Sequence, residues 1–440
     1  MKSWHHLPDI YFLHIPKTAG TSVRTWLHNL FPVEGLLPAD HLREMEALAD
    51  EAILSSRLAS GHFGWRLVAR AEKIGKHFAI VTFLRDVVEL RMSTLGQALQ
   101  ITEAEIGALP ANVAEATRRS TEWAKSVDLA HIVKNRTFNL DDIPPMPREH
   151  RATQNTYVHF IAGPGTQVDD VPDVTEQAAL IAETRLRQFD VVGITEDMDW
   201  SVAVICDHFG MPIIPMNIRQ NRSSVKLEPS PDYQVAARFW DPYGDRLHKV
   251  GSELLAGRKD ALLQRFGLAA DAAVGAMRIP LRKAFLTTDR GVSRITEAEI
   301  SMSDGLICEG FTARVYDEQF DRWIRWAGPQ TTSTVYLPLD ATADRTFRFE
   351  IAASLNDTIR DGLALSINGH DIALERSYEV WRDDAYHLIC TGLISRAVMD
   401  ANSQYTALDF HVPEVVSTEA TLAEFMGPAV SFALADIKIS

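Results

Sequence analysis

Residues 11–26 read YFLHIPKTAGTSVRTW, and no other stretch restricts the fold as tightly. An apolar run stops at Pro16-Lys17-Thr18-Ala19-Gly20-Thr21-Ser22, and a helical pattern begins at once. A buried strand that turns directly into a helix belongs to a layered α/β domain. The junction leaves N–H groups unpaired at the helix start, and these, with the helix dipole, hold an anion. Gly20 is expected to let the main chain approach that anion. Thr21 and Ser22 are expected to add hydroxyl donors at the N-cap, and Lys17 a mobile positive charge. A Walker loop needs G-x-x-x-x-G-K-[ST]. Here the first glycine of that spacing is missing and the lysine precedes Gly20, which disfavours an ATPase or kinase.

The rest of residues 10–268 alternates strand and helix patterns, as in a mostly parallel sheet covered on both faces. Strands are expected at Ile10–Ile15, His77–Leu84 and Phe189–Ile194. Helices are expected at Thr21–Leu30, Val88–Leu99, Ala111–Lys134, Gln177–Gln188 and Trp200–Phe209. Asp141–Pro147 and Pro164–Asp173, acidic and proline-containing, read as loops. From about Ala273 the pattern changes to alternation with period two. Val335–Leu339, Phe347–Ile351, Leu363–Ile367, Leu408–Val412 and Val430–Leu434 each place apolar residues on one face, as antiparallel strands do. Asn368-Gly369 predicts a type I′ hairpin. These segments imply an all-β, jelly-roll-like sandwich over 295–440, joined by a linker at 271–294 to a domain over 1–270. Two or three domains is the number a chain of 440 residues leads one to expect.

A second strand–helix junction follows at Phe83-Leu-Arg-Asp-Val-Val-Glu-Leu-Arg-Met-Ser93. An arginine leaving a strand end and a serine one to two turns into the next helix can converge on one phosphate. The plainer alternative for Arg85 is a surface ion pair with Asp86 or Glu89.

His14-Ile-Pro-Lys-Thr-Ala-Gly-Thr-Ser22 resembles the 5′-phosphosulfate loop of sulfotransferases that use 3′-phosphoadenosine-5′-phosphosulfate (PAPS). The likeness is strongest to the carbohydrate group that includes heparan sulfate 2-O-sulfotransferases. The second junction is similar to that family's L-R-[DN]-P-x-x-R-x-x-S. Val87 stands where proline is usual, Leu90 where the pattern has arginine, and Arg91 one place late. The resemblance spans roughly 10–268, with Phe189–Glu196 as a third segment and weaker echoes around Asn155 and Asp245. It implies a P-loop-like sheet flanked by helices and PAPS as sulfuryl donor. Lys17, Thr18, Ala19, Gly20, Thr21 and Ser22 would surround the 5′-phosphosulfate, and Arg85 and Ser93 would bind the 3′-phosphate. By the same resemblance the loop Asn217–Lys226 folds over the nucleotide, offering Arg222, Ser224 or Lys226; as a basic polar stretch it reads equally well as a solvated loop.

Sulfuryl transfer to a hydroxyl needs a base, an in-line grip and a stabiliser for the departing oxygen. Lys17 suits the last task. His62, in Ser60-Gly-His-Phe-Gly-Trp65, suits the first, since imidazole titrates near neutrality and the 2-O group carries its base in a similar G-H-x-x-[FYW] segment. The alternatives are a packed histidine after a glycine turn, or a carboxylate base at Glu34 or Asp40. His14 is expected to be structural. Trp65, Trp123 and Tyr157 are assigned to the core, and Trp323, Trp326 and Trp381 to packing or a subunit interface in preference to sugar stacking.

The net charge of −15 disfavours a general nucleic-acid binder. Three widely spaced cysteines fit neither a disulfide framework nor zinc, no ligand spacing for any metal is present, and a reducing compartment is expected. No apolar run is long enough to cross a membrane and MKSWHH is no signal peptide, so a cytoplasmic, bacterial-type enzyme is expected. Its acceptor is expected to be a hydroxylated glycan or glycolipid, with the sandwich presenting it or linking subunits into a homo-oligomer. The competing functions are a P-loop nucleotide kinase or phosphotransferase, and a non-catalytic nucleotide- or glycan-binding module.

Overall fold

Four short strands build the N-terminal sheet of the computed structural model: β1 (Ile10–Leu13), β2 (Leu58–Gly61), β3 (Ala79–Leu84) and β4 (Val191–Ile194). All pair in parallel, in the order β2-β1-β3-β4. The structure describes residues 5–100, 102–107, 114–115, 118, 122, 155–163, 174–214, 229, 231–318, 321–380, 386–400, 402–418 and 429–440. Every residue of β1 and β4 is buried, which explains why both read as unbroken apolar runs. Helix α1 (Gly20–His28) follows β1, then α2 (Leu42–Ala47) and α3 (Asp50–Ser55) lead to β2. Helix α4 (Trp65–Lys73) connects β2 to β3. Between β3 and β4 come α5 (Val87–Gln100), α6 (Glu103–Gly107), α7 (Thr156–Ile161) and α8 (Glu176–Leu186). Then α9 (Met198–His208), α10 (Pro231–Trp240), α11 (Pro242–Arg265) and α12 (Arg278–Thr287) follow ahead of the second region.

The strand order matters for function. From β1 the chain leaves toward β2 on one side, and from β3 toward β4 on the other. The switch point thus lies between β1 and β3, where the two departing loops open a crevice at the carboxyl ends of the strands, the place where open α/β sheets bind ligands. Both motif loops, after Leu13 and after Leu84, border it.

Several expectations are corrected. The strands are shorter than expected, starting at Ala79 and Val191 and ending at Leu13. Strand β2 was not anticipated, because Leu58-Ala-Ser-Gly61 has one large apolar residue and is recruited by its register with β1. Helix α1 begins at Gly20, with Ala19 as its N-cap. The segment 274–287, expected as linker, is helical. Most of Ala111–Lys134, all of Asp141–Pro147 and Pro164–Asp173, and the loop with Arg222, Ser224 and Lys226 lie outside the described residues, as do Trp123 and Trp381.

The C-terminal region is antiparallel. A seven-stranded sheet contains β10 (Arg345–Ser354), β14 (Tyr386–Ile394), β16 (Phe432–Ile439) and β8 (Arg322–Ala327) side by side with edge strands β5 (Ala298–Ser301), β7 (Phe311–Asp317) and β13 (Glu375–Val380). A five-stranded sheet runs β12 (His370–Ile372), β11 (Ala364–Ile367), β15 (Thr406–His411), β9 (Thr332–Leu337), β6 (Cys308–Glu309). Their inner faces meet in one apolar cluster, where Phe349 of β10 packs edge-on to Phe410 of β15 at 5.1 Å. The Asn368-Gly369 hairpin forms as predicted, with Ile367 opposite His370 and positive φ at both turn residues. Trp323 and Trp326 are partly buried against the apolar clusters of this region.

The two regions share a core. Ile307, Tyr336, Tyr405 and Ala407 belong to the same buried cluster as the parallel sheet, and Phe285 of α12 stacks on Tyr405 at 4.4 Å. The fully buried Arg325 of β8 donates to the Asn29 carbonyl at the end of α1 (2.9 Å), to the Asp304 carbonyl (3.2 Å) and to Cys308 Sγ (3.1 Å). Arg314 donates to the Phe31 and Ser303 carbonyls at 2.7 and 3.0 Å. Burial, with Arg325 nearby, pulls the Arg314 guanidinium down to about 9. Two cations at the carboxyl end of α1 complement its dipole.

Candidate functional site

Between β1 and α1 the backbone is strained. Lys17 (φ 68°) and Ala19 (φ 62°) both sit in the left-handed region, which side-chain-bearing residues seldom enter. Such outliers persist only where the surroundings enforce them, and they gather at ligand-holding loops. Left-handed residues interspersed along a turn aim successive N–H groups into a concavity that takes an anion. Helix α1 starts directly beyond, with no side-chain cap at Ala19. Thr21 and Ser22 fall in its first turn, two and three places beyond that N-cap, inside the helix and not at the cap position expected for them. Thr18 is fully buried and its hydroxyl donates to the Ile15 carbonyl at 2.9 Å, so its side chain braces the loop.

The second motif comes to the first. Arg85 leaves the end of β3, and its Nη1 donates to the Lys17 carbonyl at 3.3 Å, across a separation of 68 residues. Burial depresses the Lys17 ammonium pKa, and the nearby Arg85 charge lowers it further. Among the described residues no carboxylate pairs with Lys17 Nζ. Arg85 has only Glu89, at 3.3 Å, one helical turn along α5 and half exposed. Asp86, the other partner considered for Arg85, instead caps α5 through Val88 N–H (2.9 Å) and pairs with Arg238 (2.7 Å). Ser93 lies four residues beyond Glu89, on the helix face along which Arg85 runs, and is partly buried. Arg91, one place late in the pattern, is turned about 100° away from Leu90. It is buried, and its charge acts on Asp241, whose carboxyl burial raises to about 6. Arg91 is thus a core residue.

Tyr157 is fully buried in the core, as its aromatic character leads one to expect, but it has a specific task. Its hydroxyl accepts the Arg85 N–H at 2.8 Å and donates to the Arg85 carbonyl. Both polar groups of the residue that carries the guanidinium are thereby fixed. The partner lies 72 residues away, so only the aromatic character of Tyr157 is legible locally.

His62 follows β2 and sits beside the loop. Its Nδ1 lies 2.9 Å from the His14 carbonyl, which can only accept. The proton is therefore on Nδ1, and Nε2 carries the lone pair. Burial holds the ring below its ordinary titration range; the bond to His14 opposes this, while His41 and Arg24 add to it. A neutral imidazole with a defined acceptor nitrogen is the form a general base requires. Asp40 is close by: its carbonyl accepts the His62 N–H at 2.9 Å, and its carboxylate pairs with Arg24. Glu34 is elsewhere. It lines a cavity of about 750 Å³, together with Glu299, Asp304, Arg348, Asp436 and Lys438, between the α/β region and the seven-stranded sheet. Its carboxylates make that cavity a poor place for an anionic donor.

No protein-family model and no curated protein matches the chain. Among solved structures it aligns with a family GH115 4-O-methyl-α-glucuronidase that has specificity for decorated arabinogalactans, at 10% identity and a TM-score of 0.21. That alignment takes in 92% of this chain and 49% of the glucuronidase, so the chain spans about half of that protein's length. At such a score the likeness carries no weight for fold or function.

Other expected positions are peripheral. Asn155 is the left-handed N-cap of α7, and Asp245 pairs with Arg238. Trp65 stacks on Phe189 at 6.2 Å beneath the Arg185 guanidinium. Among the described residues no group of three His, Cys, Asp or Glu side chains is placed to hold a metal ion, and no helix is long and apolar enough to cross a membrane.

Proposed function

We propose that the chain is a PAPS-dependent O-sulfotransferase acting on a hydroxyl of a carbohydrate or glycolipid. One observation carries the reading: Lys17 and Arg85, from two motifs far apart in sequence, meet across the switch point at the end of a strained loop. Two neighbouring cations in a partly buried site call for an anion with more than one charged group. In this reading the loop and α1 hold the 5′-phosphosulfate and Arg85 with Ser93 holds the 3′-phosphate. Lys17 stabilises the bridging oxygen as the S–O bond breaks. His62 Nε2 takes the acceptor's proton while the hydroxyl oxygen bonds to sulfur, and adenosine 3′,5′-bisphosphate leaves.

The same proposal makes residues 1–270 a sulfotransferase-type domain and 295–440 a jelly-roll-like one that presents the acceptor. The buried, unpaired Cys206, Cys308 and Cys390 suit a cytoplasmic setting. Incubation with sulfur-labelled PAPS and a panel of glycans and glycolipids tests it. Label should pass to a hydroxylated acceptor in wild type and not in Lys17→Ala. Phosphate transfer from a nucleoside triphosphate, with PAPS inert, overturns the reading.

A further inference from the structure

We propose that His14 is a positioning residue that holds the anion loop and the base in a fixed relation. Resting on the function proposed above, it assigns a task to a residue the sequence left as structural. Three contacts converge on it. The first is to the loop. A Cβ built on Gly20 would lie 1.7 Å from His14 Nε2 and 1.8 Å from Cδ2, so the imidazole fills the space that any other residue at 20 would need. The missing side chain at Gly20 makes room for this ring. The second contact is to the base. The His14 and His62 ring centroids are 4.3 Å apart, and the His14 carbonyl takes the His62 Nδ1 proton at 2.9 Å. The third anchors His14 itself. Phe12 stacks on the ring at 5.5 Å and 12°, and the His14 N–H reaches the Gly61 carbonyl at 3.3 Å, tying β1 to β2.

The consequence is mechanical. A ring packed between loop and base transmits any displacement of one to the other, since close-packed interiors do not absorb shifts. The carbonyl of the same residue decides which His62 nitrogen is free, much as a carboxylate does in a hydrolase triad. Burial keeps the His14 ring neutral, with its pKa pressed down to about 3, so it adds no charge to the donor pocket. The charged and titratable groups around His62 are His14 at the end of β1, His41 and Asp40 ahead of α2, and Arg24 on α1. Phe160 of α7 closes the remaining side at 6.3 Å.

A size-swap cycle tests this. Wild type, Gly20→Ala, His14→Ala and the double variant are compared by titration calorimetry with adenosine 3′,5′-bisphosphate, and by NMR titration of the His62 ring. Gly20→Ala should weaken binding at least about tenfold, and adding His14→Ala should restore most of it, a non-additivity expected only of residues in contact. His14→Ala alone should keep nucleotide binding within a few-fold but raise the His62 titration toward the ordinary imidazole range, and it should lower kcat with KM little changed. Additive losses, or a His62 titration unmoved in His14→Ala, overturn the proposal. Should Gly20→Ala not fold, the NMR titration of His14→Ala decides alone. Failure of the wild type to bind nucleotide would count against the functional reading, while the NMR outcome would still decide the role of His14.

Discussion

Tyr157→Phe isolates the geometry of the second motif. The substitution keeps the buried ring and removes one oxygen, the acceptor of the Arg85 N–H at 2.8 Å. A buried polar group deprived of its partner costs about 1–3 kcal/mol. If the Arg85 main chain relaxes in the free protein and must be drawn back on binding, a central value of about 2 kcal/mol weakens the nucleotide roughly 30-fold. The loss should be selective. Adenosine 3′,5′-bisphosphate engages Arg85 and should show it, whereas adenosine 5′-phosphate, which lacks the 3′ group, should change by less than about threefold. Arg85→Ala should reproduce the pattern more strongly. Calorimetric titration of both nucleotides into wild type and variant reads the difference directly. Equal weakening of the two ligands, or unchanged affinity for both, would refute the assignment of Arg85 to the 3′-phosphate.

Lys17→Ala should abolish turnover while some nucleotide binding persists, because the charge is needed where negative charge develops on the leaving oxygen; single-turnover kinetics beside binding would show it, and equal loss of both contradicts the role. Arg325→Met leaves the Asn29 and Asp304 carbonyls without their buried donor, and should cost about 1–3 kcal/mol for each carbonyl left unsatisfied in chemical denaturation, with both regions unfolding in one transition; two separate transitions in the wild type would contradict the shared core. Burial lowers His5, His14 and His28 to about 3 and His6 to about 4. The unfolded chain therefore binds more protons than the folded one from about pH 6.5 downward, and stability should be full above that pH and fall as the solution is acidified toward 3–4, with Asp241 opposing it weakly between about 4 and 6; denaturation curves between pH 7 and 4 check the slope. Burial also raises the thiols of Cys206 and Cys390 to about 12 and about 11 and that of Cys308 above its usual value, so a disulfide reagent should label none of the three until the protein unfolds.

The parts legible in the sequence were those with local causes. Near-continuous apolar runs mark β1, β3 and β4, and the Pro-Lys-Thr-Ala-Gly-Thr-Ser turn and Arg85 mark the junctions beside the switch point. Asn368-Gly369 announces its hairpin by backbone preference alone. What stayed hidden depends on distant partners. Strand β2 has small residues and acquires its structure from β1; Tyr157 acquires its role from Arg85. Gly20 shows the reverse difficulty: the glycine is conspicuous, but the ring that requires it belongs to His14. Tyr336 and Tyr405 look like ordinary strand residues, yet they join two regions into one core because α12 brings Phe285 between them.

The most direct test of the donor site is thermal unfolding with saturating adenosine 3′,5′-bisphosphate, in the absence of magnesium, beside ADP with magnesium. At about 100-fold over the dissociation constant, binding to the native state adds roughly 2.7 kcal/mol. A rise in Tm with the bisphosphate, lost in Arg85→Ala and weak or absent with ADP and magnesium, is the predicted result. Stabilisation by ADP and magnesium alone, or by neither nucleotide, would contradict a PAPS site between β1 and β3.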